Sequence, residues 1–254
     1  MLKYERLEKI EEYVNRNKYA TIHELAAAFD ISRATIRRDL ELLNKKHRVQ
    51  LTRGGVVSLN KGVSEERPYN EKVEANREEK MRIAQAAREL ISDGATLLID
   101  SGTTTREVAP LLADAAGIKL VTNDVMIAAE LTNARGVEVS VLGGTLRRGY
   151  FTLTGHVTEN AIAQLRADLT LVGMDSVSLE SGCMISNMDE VGLKQAMIHS
   201  GRRAVVLCDH TKFESEAFAS VCELSQIDLI ITGKELPPRV RAAFADRGVK
   251  LQLV

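Results

Sequence analysis

Between Thr21 and Leu43 the chain changes character twice within a few residues, and few folds permit that pattern. Thr21-Ile-His-Glu24 has the spacing of a capping box, in which a threonine hydroxyl and a glutamate carboxylate each satisfy an unpaired amide at a helix start. Leu25, Ala26 and Phe29 follow at helical spacing, and Asp30-Ile31-Ser32 breaks it. Ser32 is a good N-cap for a new helix. Behind it Ile36, Leu40 and Leu43 form one apolar stripe, while Arg33, Thr35, Arg37 and Arg38 project from the other faces. With a first helix marked by Leu7, Ile10 and Val14, three helices fit within about 45 residues, the layout of a helix-turn-helix module. Taken alone, the third helix reads more readily as an ordinary amphipathic surface helix with solvated arginines. The two helices before it favour the module, whose third helix enters a DNA groove.

After the third helix, Val49 to Leu59 reads as two short strands around a turn, with Gly54 and Gly55 supplying positive φ angles, which would make a wing. The run from Arg6, Ile10 and Val14 through Ser32-x-x-Thr35-Ile-Arg-Arg-Asp-Leu40 to the glycine pair resembles the DeoR family of bacterial transcription regulators. That resemblance implies a winged helix-turn-helix reading operator DNA, with Ser32, Arg33, Thr35, Arg37, Arg38, Lys45 and the wing's Arg53 at the interface. Leu51 stands where the family commonly has an arginine, so the wing's basic group is here Arg53.

A net charge of −1 over 254 residues argues against a nucleic-acid binder only until the halves are separated. Residues 1–60 carry 12 Lys and Arg against 8 Asp and Glu, and residues 61–254 carry 22 against 27. The basic surplus sits with the helix-turn-helix, as release of counterions from phosphates requires, and Lys45, Lys46, His47 and Arg48 extend it. No run approaches the roughly 20 apolar residues needed to span a bilayer, and the N-terminus lacks the apolar core of a signal peptide. A cytoplasmic protein with no membrane partner is expected. Cys183, Cys208 and Cys222 are widely spaced with no nearby histidine, so reduced buried thiols are expected and no metal site.

Residues 60–79 are charged, poor in apolar positions and interrupted by Pro68, and read as a linker between a DNA-binding domain at 1–59 and a second domain at 80–254. In the latter, Ile83, Ala87, Leu90 and Ile91 mark a helix. Strand-like runs recur at 95–99, 119–122, 137–142, 169–172, 203–207 and 227–231, with helical segments between them. Continuous apolar runs alternating with helices predict an α/β domain with a mainly parallel sheet covered on both faces, and ligands in such sheets collect beyond the carboxyl ends of the strands.

The polar motifs fall at those ends. Asp100-Ser101-Gly102-Thr103-Thr104-Thr105 follows one strand and precedes a helix reaching about Leu112, so Gly102 permits close approach while hydroxyls and helix-start amides could hold a phosphate. A capped polar turn explains the same residues. The Gly-x-x-x-x-Gly-Lys spacing is absent, so ATP or GTP is not expected. Thr122-Asn123 and Gly143-Gly144 end the next two strands, and Glu190 with Lys194, and Asp209 with Lys212, come later. Glu190 and Lys194 could equally be a helix-stabilising pair.

These motifs resemble the effector-sensing domain of the DeoR family, similar in fold to ribose-5-phosphate isomerase and coenzyme A transferases. The resemblance implies a phosphorylated sugar or related metabolite as effector, its phosphate on residues 101–105 and its hydroxyls facing the carboxylates and Lys212. Gly173-Met-Asp-Ser176 departs from the family pattern, which places altered sugar selectivity near Met174 and Asp175. The expected function is a repressor of a carbohydrate-utilisation operon, with no catalytic residue, no cofactor and no metal, acting as a homodimer or homotetramer because one winged helix contacts a single half-site. The sequence leaves repressor and activator unseparated. The alternative is a sugar-phosphate isomerase-like enzyme with an attached DNA-binding module, since a carboxylate and a lysine in a phosphate site could move a proton next to a carbonyl.

Overall fold

A computed structural model describes residues 3–17, 19–45, 48–52, 54–58, 66–213 and 215–254. The chain divides into two compact units, Met1–Glu65 and Glu66–Val254.

In the first unit α1 (Lys3–Asn17) is followed by β1 (Tyr19–Thr21), α2 (Ile22–Phe29), α3 (Arg33–Lys45), β2 (Val49–Thr52) and β3 (Gly55–Ser58). Both halves of the Thr21–Glu24 capping box form, and Asp30 ends α2 in the left-handed conformation at φ 51°. Ile10, Val14, Leu25, Ile36, Leu40 and Val56 make the core beneath the three helices and the sheet. The expected hairpin gains a third strand, in the order β1-β3-β2, because β1 pairs with β3. The two glycines have different roles. Gly54 takes the positive φ, at 95°, whereas Gly55 is required for space: a Cβ there would stand 2.6 Å from the Ala20 carbonyl oxygen, across the added strand.

The second unit opens with α4 (Tyr69–Glu74) and α5 (Arg77–Arg88), so residues 66–79, expected as linker, are packed here, with Tyr69 buried. There follow β4 (Thr96–Ile99), β5 (Ile118–Thr122), α6 (Val125–Glu130), β6 (Val137–Val141), the hairpin β7 (Thr145–Leu146) and β8 (Leu153–Thr154), and α7 (His156–Ala163). The chain continues through β9 (Leu169–Gly173), β10 (Ser176–Ser178), β11 (Gly182–Ile185), α8 (Val191–Ser200), β12 (Ala204–Leu207) and β13 (Ala219–Cys222). It ends with β14 (Leu229–Thr232), α9 (Pro238–Asp246) and β15 (Leu251–Leu253). All six expected strands form within a seven-stranded parallel sheet, in the order β15-β14-β12-β9-β4-β5-β6. Alternate residues serve two cores. Leu97, Ile99, Leu120 and Leu171 face α5 and α6, while Leu98, Val172 and Val206 face α7, α8 and α9. A separate antiparallel sheet, β10-β11-β13, packs into the second core.

The strand order reverses between β4 and β9: β5 and β6 continue to one side of β4, and β9, β12, β14 and β15 to the other. Connections diverge there, which opens a crevice at the carboxyl ends of the two central strands. The segment after β4 winds as a 3-10 helix over Thr105–Leu112 rather than a regular α-helix; Pro110, which has no amide to donate, lies inside it.

Candidate functional site

In the first unit, Ser32 caps α3: the Thr35 amide donates to its Oγ at 3.2 Å, and the two hydroxyls are 2.9 Å apart. Arg33, Arg37, Arg38 and Lys45 are exposed on α3 and Thr35 is partly so, leaving a basic helix face open to solvent. Arg53, Lys46 and His47 lie outside the described residues. The buried side of the same helix holds Asp39, which is 2% exposed and receives two hydrogen bonds from Arg6. Its spacing from Ile36 and Leu43 placed it on the apolar stripe, the signal that could have found it.

The second unit has a pocket at the β4–β9 crevice, lined from the β4 loop by Ser101, Gly102, Thr103 and Thr104. Gly173, Met174 and Asp175 close it after β9, and Asp209, Thr211 and Lys212 after β12. Glu190 and Lys194 at the start of α8 form the floor. The anticipated residues therefore divide. Ser101 through Thr104, Glu190, Lys194, Asp209 and Lys212 line the cavity, whereas Asp100, Thr105, Thr122, Asn123, Gly143 and Gly144 do not. Asn123 Oδ1 accepts from the Ser101 amide at 3.0 Å, the Thr122 hydroxyl accepts from the Asp124 amide at 3.1 Å, and Thr105 donates to the Gly102 carbonyl at 3.0 Å. The Gly143 carbonyl accepts from Thr158 at 2.6 Å, and Gly144 is packed against Thr158 and the Thr154 carbonyl.

Ser101 has spent its donors. Its amide goes to Asn123, and its hydroxyl donates to Asp124 at 2.6 Å while accepting from Thr152 at 2.7 Å. The backbone amides of Gly102, Thr103 and Thr104, residues that line the cavity, take no protein partner among the described residues.

Lys194 is fixed from three sides. It donates to Asp100 and, at 2.9 Å, to the Gly173 carbonyl, and Glu190 stands 4.0 Å away. Burial works against its charge, but Asp100 and Glu190 hold its pKa above the ordinary lysine value. Burial pushes the Glu190 carboxyl up, against Lys194 and Arg147 pulling it down. Asp175 shows the opposite balance: burial would raise it, yet Lys72 and Lys212 hold it well below the usual carboxylate range.

Half of the pocket comes from places that the strand-end rule does not reach. Glu66, Lys72 and Lys80 enter from the segment before β4, and Arg147 and Tyr150 from the β7–β8 hairpin. Lys80 donates to the Lys72 carbonyl, and burial lowers its pKa to about 8, with Lys212 and Lys72 adding to the effect against Asp209. The Arg147 guanidinium lies 3.9 Å from the centre of the Tyr150 ring. Altogether six Lys and Arg line the pocket against four Asp and Glu, so an anionic ligand is electrostatically favoured.

Next to the pocket, which Asp209 lines, Glu79, Asp209 and His210 bring ligand-type atoms within 4.8 Å of one another. Glu79 Oε1 accepts the amides of His210 at 2.7 Å and Gly233 at 3.1 Å, and Oε2 faces His210 Nδ1 at 2.8 Å. These bonds account for the cluster as an internal network, and the Glu79 contact raises the His210 pKa.

Comparison with known proteins matches residues 6–62 to the DeoR-like helix-turn-helix domain and residues 75–234 to the DeoR C terminal sensor domain. The HTH-type transcriptional regulator GlpR of Haloferax volcanii is 34% identical over 98% of this chain and 97% of its own length. The glycerol-3-phosphate regulon repressor of Escherichia coli K12 is 30% identical over 96% of each, and the transcriptional repressor GlcR of Bacillus subtilis 31% over 99% and 96%. Among solved structures, ribose 5-phosphate isomerase A from Methanocaldococcus jannaschii is similar at TM-score 0.40 and 14% identity, over 55% of either chain. Among the described residues no helix is long and apolar enough to cross a membrane. With a helix-turn-helix presenting an exposed basic face, a sensor domain built around a cationic pocket, and relatives matched along nearly the whole chain, this protein belongs to the DeoR family of DNA-binding transcriptional regulators.

Proposed function

We propose that the protein is a repressor that a phosphorylated sugar or sugar-like polyol releases from operator DNA. The observation that carries this reading is the pocket at the β4–β9 crevice, where the unpartnered amides of Gly102, Thr103 and Thr104 share one cavity with an excess of cationic side chains. Amides at a helix start together with cations recognise a phosphate dianion, and charge-assisted hydrogen bonds are roughly twice as strong as neutral ones. Asp175, Glu190 and Asp209 supply acceptors for hydroxyls at the other end of such a ligand. The names of the glycerol-3-phosphate regulon repressors among the relatives support the same class.

On this reading α3 reads bases through Arg33, Arg37 and Arg38 with Ser32, Thr35 and Lys45 at the backbone, and two copies of the chain engage the two half-sites of an operator. The pocket serves binding, not turnover. Lys194 is bound on several sides, and the relatives are named as regulators.

The test is release of operator DNA by sugar phosphates and by the same sugars without phosphate. Only the phosphorylated compounds should release the protein, and they should bind more weakly when operator is present, since a ligand shifts an equilibrium only through different affinity for its two states. Equal release by sugar and sugar phosphate would sink the phosphate site. Conversion of a sugar phosphate to an isomer over many turnovers, followed by NMR, would sink the regulatory assignment of the pocket.

A further inference from the structure

Glu66 is the residue at which the second unit begins, and its side chain is 13% exposed although neither helix nor strand holds its backbone. The carboxylate is placed instead by two cations. Oε1 takes the Lys72 ammonium at 2.5 Å, and Oε2 takes the Arg147 guanidinium. Each cation also has a second carboxylate partner seated in the body of the fold. Lys72 reaches Asp175, just before β10, at 2.9 Å, and Arg147 reaches Glu190, just before α8, at 2.7 Å. Without Glu66 both cations would remain paired, so its departure strands no buried charge. The loss of Asp175 or Glu190 would break the wall itself.

Besides Glu66 and their second carboxylate partners, both cations rest against one aromatic ring. Arg147 stacks on Tyr150, whose hydroxyl donates to the Arg67 carbonyl at 2.7 Å, and the Lys72 ammonium lies 5.6 Å from the same ring. A carboxylate that bridges two fixed cations with separate oxygens occupies them as two oxygens of a phosphate would. All of these groups line the one pocket.

We infer that Lys72 and Arg147 form an anion subsite of the sensor pocket, and that Glu66 fills it as a tethered competitor that a phosphate or carboxylate group displaces. The inference rests on the phosphate reading above and adds to it a second set of anion-binding residues and a route to the DNA. Glu66 is the first residue of the second unit, so displacement of its carboxylate changes how that unit holds its own first residue. A ligand that replaces Glu66 thereby stabilises a state in which the Glu66 side chain is no longer held by the pocket.

The experiment is calorimetric titration of the full-length protein with inorganic phosphate, comparing the wild type with Glu66→Gln, which keeps the shape and removes the charge. If Glu66 fills the subsite nine-tenths of the time, removing it should tighten phosphate binding roughly tenfold. Operator affinity without phosphate should fall toward that of the phosphate-saturated wild type. In an Arg147→Gln background the effect of Glu66→Gln on phosphate binding should vanish. Glu66→Asp, with a shorter reach, should tighten binding by a smaller factor and covers the case in which the glutamine variant does not fold. Wild-type binding with no tightening in either variant would overturn the competitor and leave the phosphate reading standing. Tightening that persists without Arg147 would overturn the subsite, and no phosphate binding by any of the proteins would remove both.

Discussion

Arg6 in α1 grips Asp39 in α3 with two nitrogens, Nε to Oδ2 at 2.6 Å and Nη2 to Oδ1 at 3.2 Å, on the buried side of the helix whose exposed side carries Arg37 and Arg38. A planar guanidinium fork on a carboxylate fixes both distance and rotation. The pair therefore sets how α3 is turned relative to α1. Asp39→Ala should lower the thermal midpoint of the first unit and weaken operator binding, although Asp39 does not face DNA. Arg6→Lys, which keeps charge and loses the fork, should reproduce much of the binding defect. Unchanged operator affinity in both variants would show that α3 is oriented by its apolar stripe alone.

Arg37→Ala should weaken operator binding without unfolding the chain, because the side chain is exposed. If Arg37 reads a guanine, the loss is about 1–3 kcal/mol and specificity relaxes at one position; if it holds a phosphate, binding weakens on all sequences and the salt slope falls by about one. Titrations at several salt concentrations on operator and random DNA separate the two. Unchanged binding to both would remove Arg37 from the interface.

Thr104→Val should leave operator binding intact and blunt the response to a phosphorylated effector. Valine matches threonine in shape and lacks its hydroxyl, so a phosphate oxygen left short of a donor would cost about 1–3 kcal/mol of effector affinity. Thr104 lines the pocket and lies in the unit that does not carry α3. Operator binding lost together with normal effector affinity would contradict this division of labour.

Effector binding should weaken as pH rises through about 8. Burial holds the Lys80 pKa near that value, below the lysine norm of 10.5, and an anion beside it favours the ammonium form. Binding then takes up a proton, so affinity is level well below pH 8 and falls above it by at most about tenfold per pH unit. In the absence of ligand the sign for stability is the reverse: between the two pKa values the native state binds fewer protons than the unfolded state, and stability gains from this group as pH rises. Phosphate titrations from pH 7 to 9 on the wild type and Lys80→Gln test the first, and thermal unfolding of both proteins without ligand over the same range tests the second. A profile equally steep in the variant would assign the dependence to another group.

How much of this could be read from the order of residues differs sharply between the two units. The capping box at Thr21, the break at Asp30 and the stripe through Ile36, Leu40 and Leu43 are local patterns, and local periodicity reports directly which face of an element is buried. The alternation of apolar runs and helices likewise sufficed for the parallel sheet, and the polar loops after β4 and β12 stand where strand ends must present them. The other wall of the pocket was hidden. Lys72 and Lys80 sit in a charged stretch that looks like a solvated linker, and Arg147 in a two-stranded hairpin beyond any periodic signal. Periodicity says nothing about which distant elements meet. Only the tertiary structure decided that Glu66, Lys72, Arg147, Asp175 and Glu190 share one cavity, because a buried charge depends on opposite charges brought to it from elsewhere in the chain, here across up to 124 positions between Glu66 and Glu190.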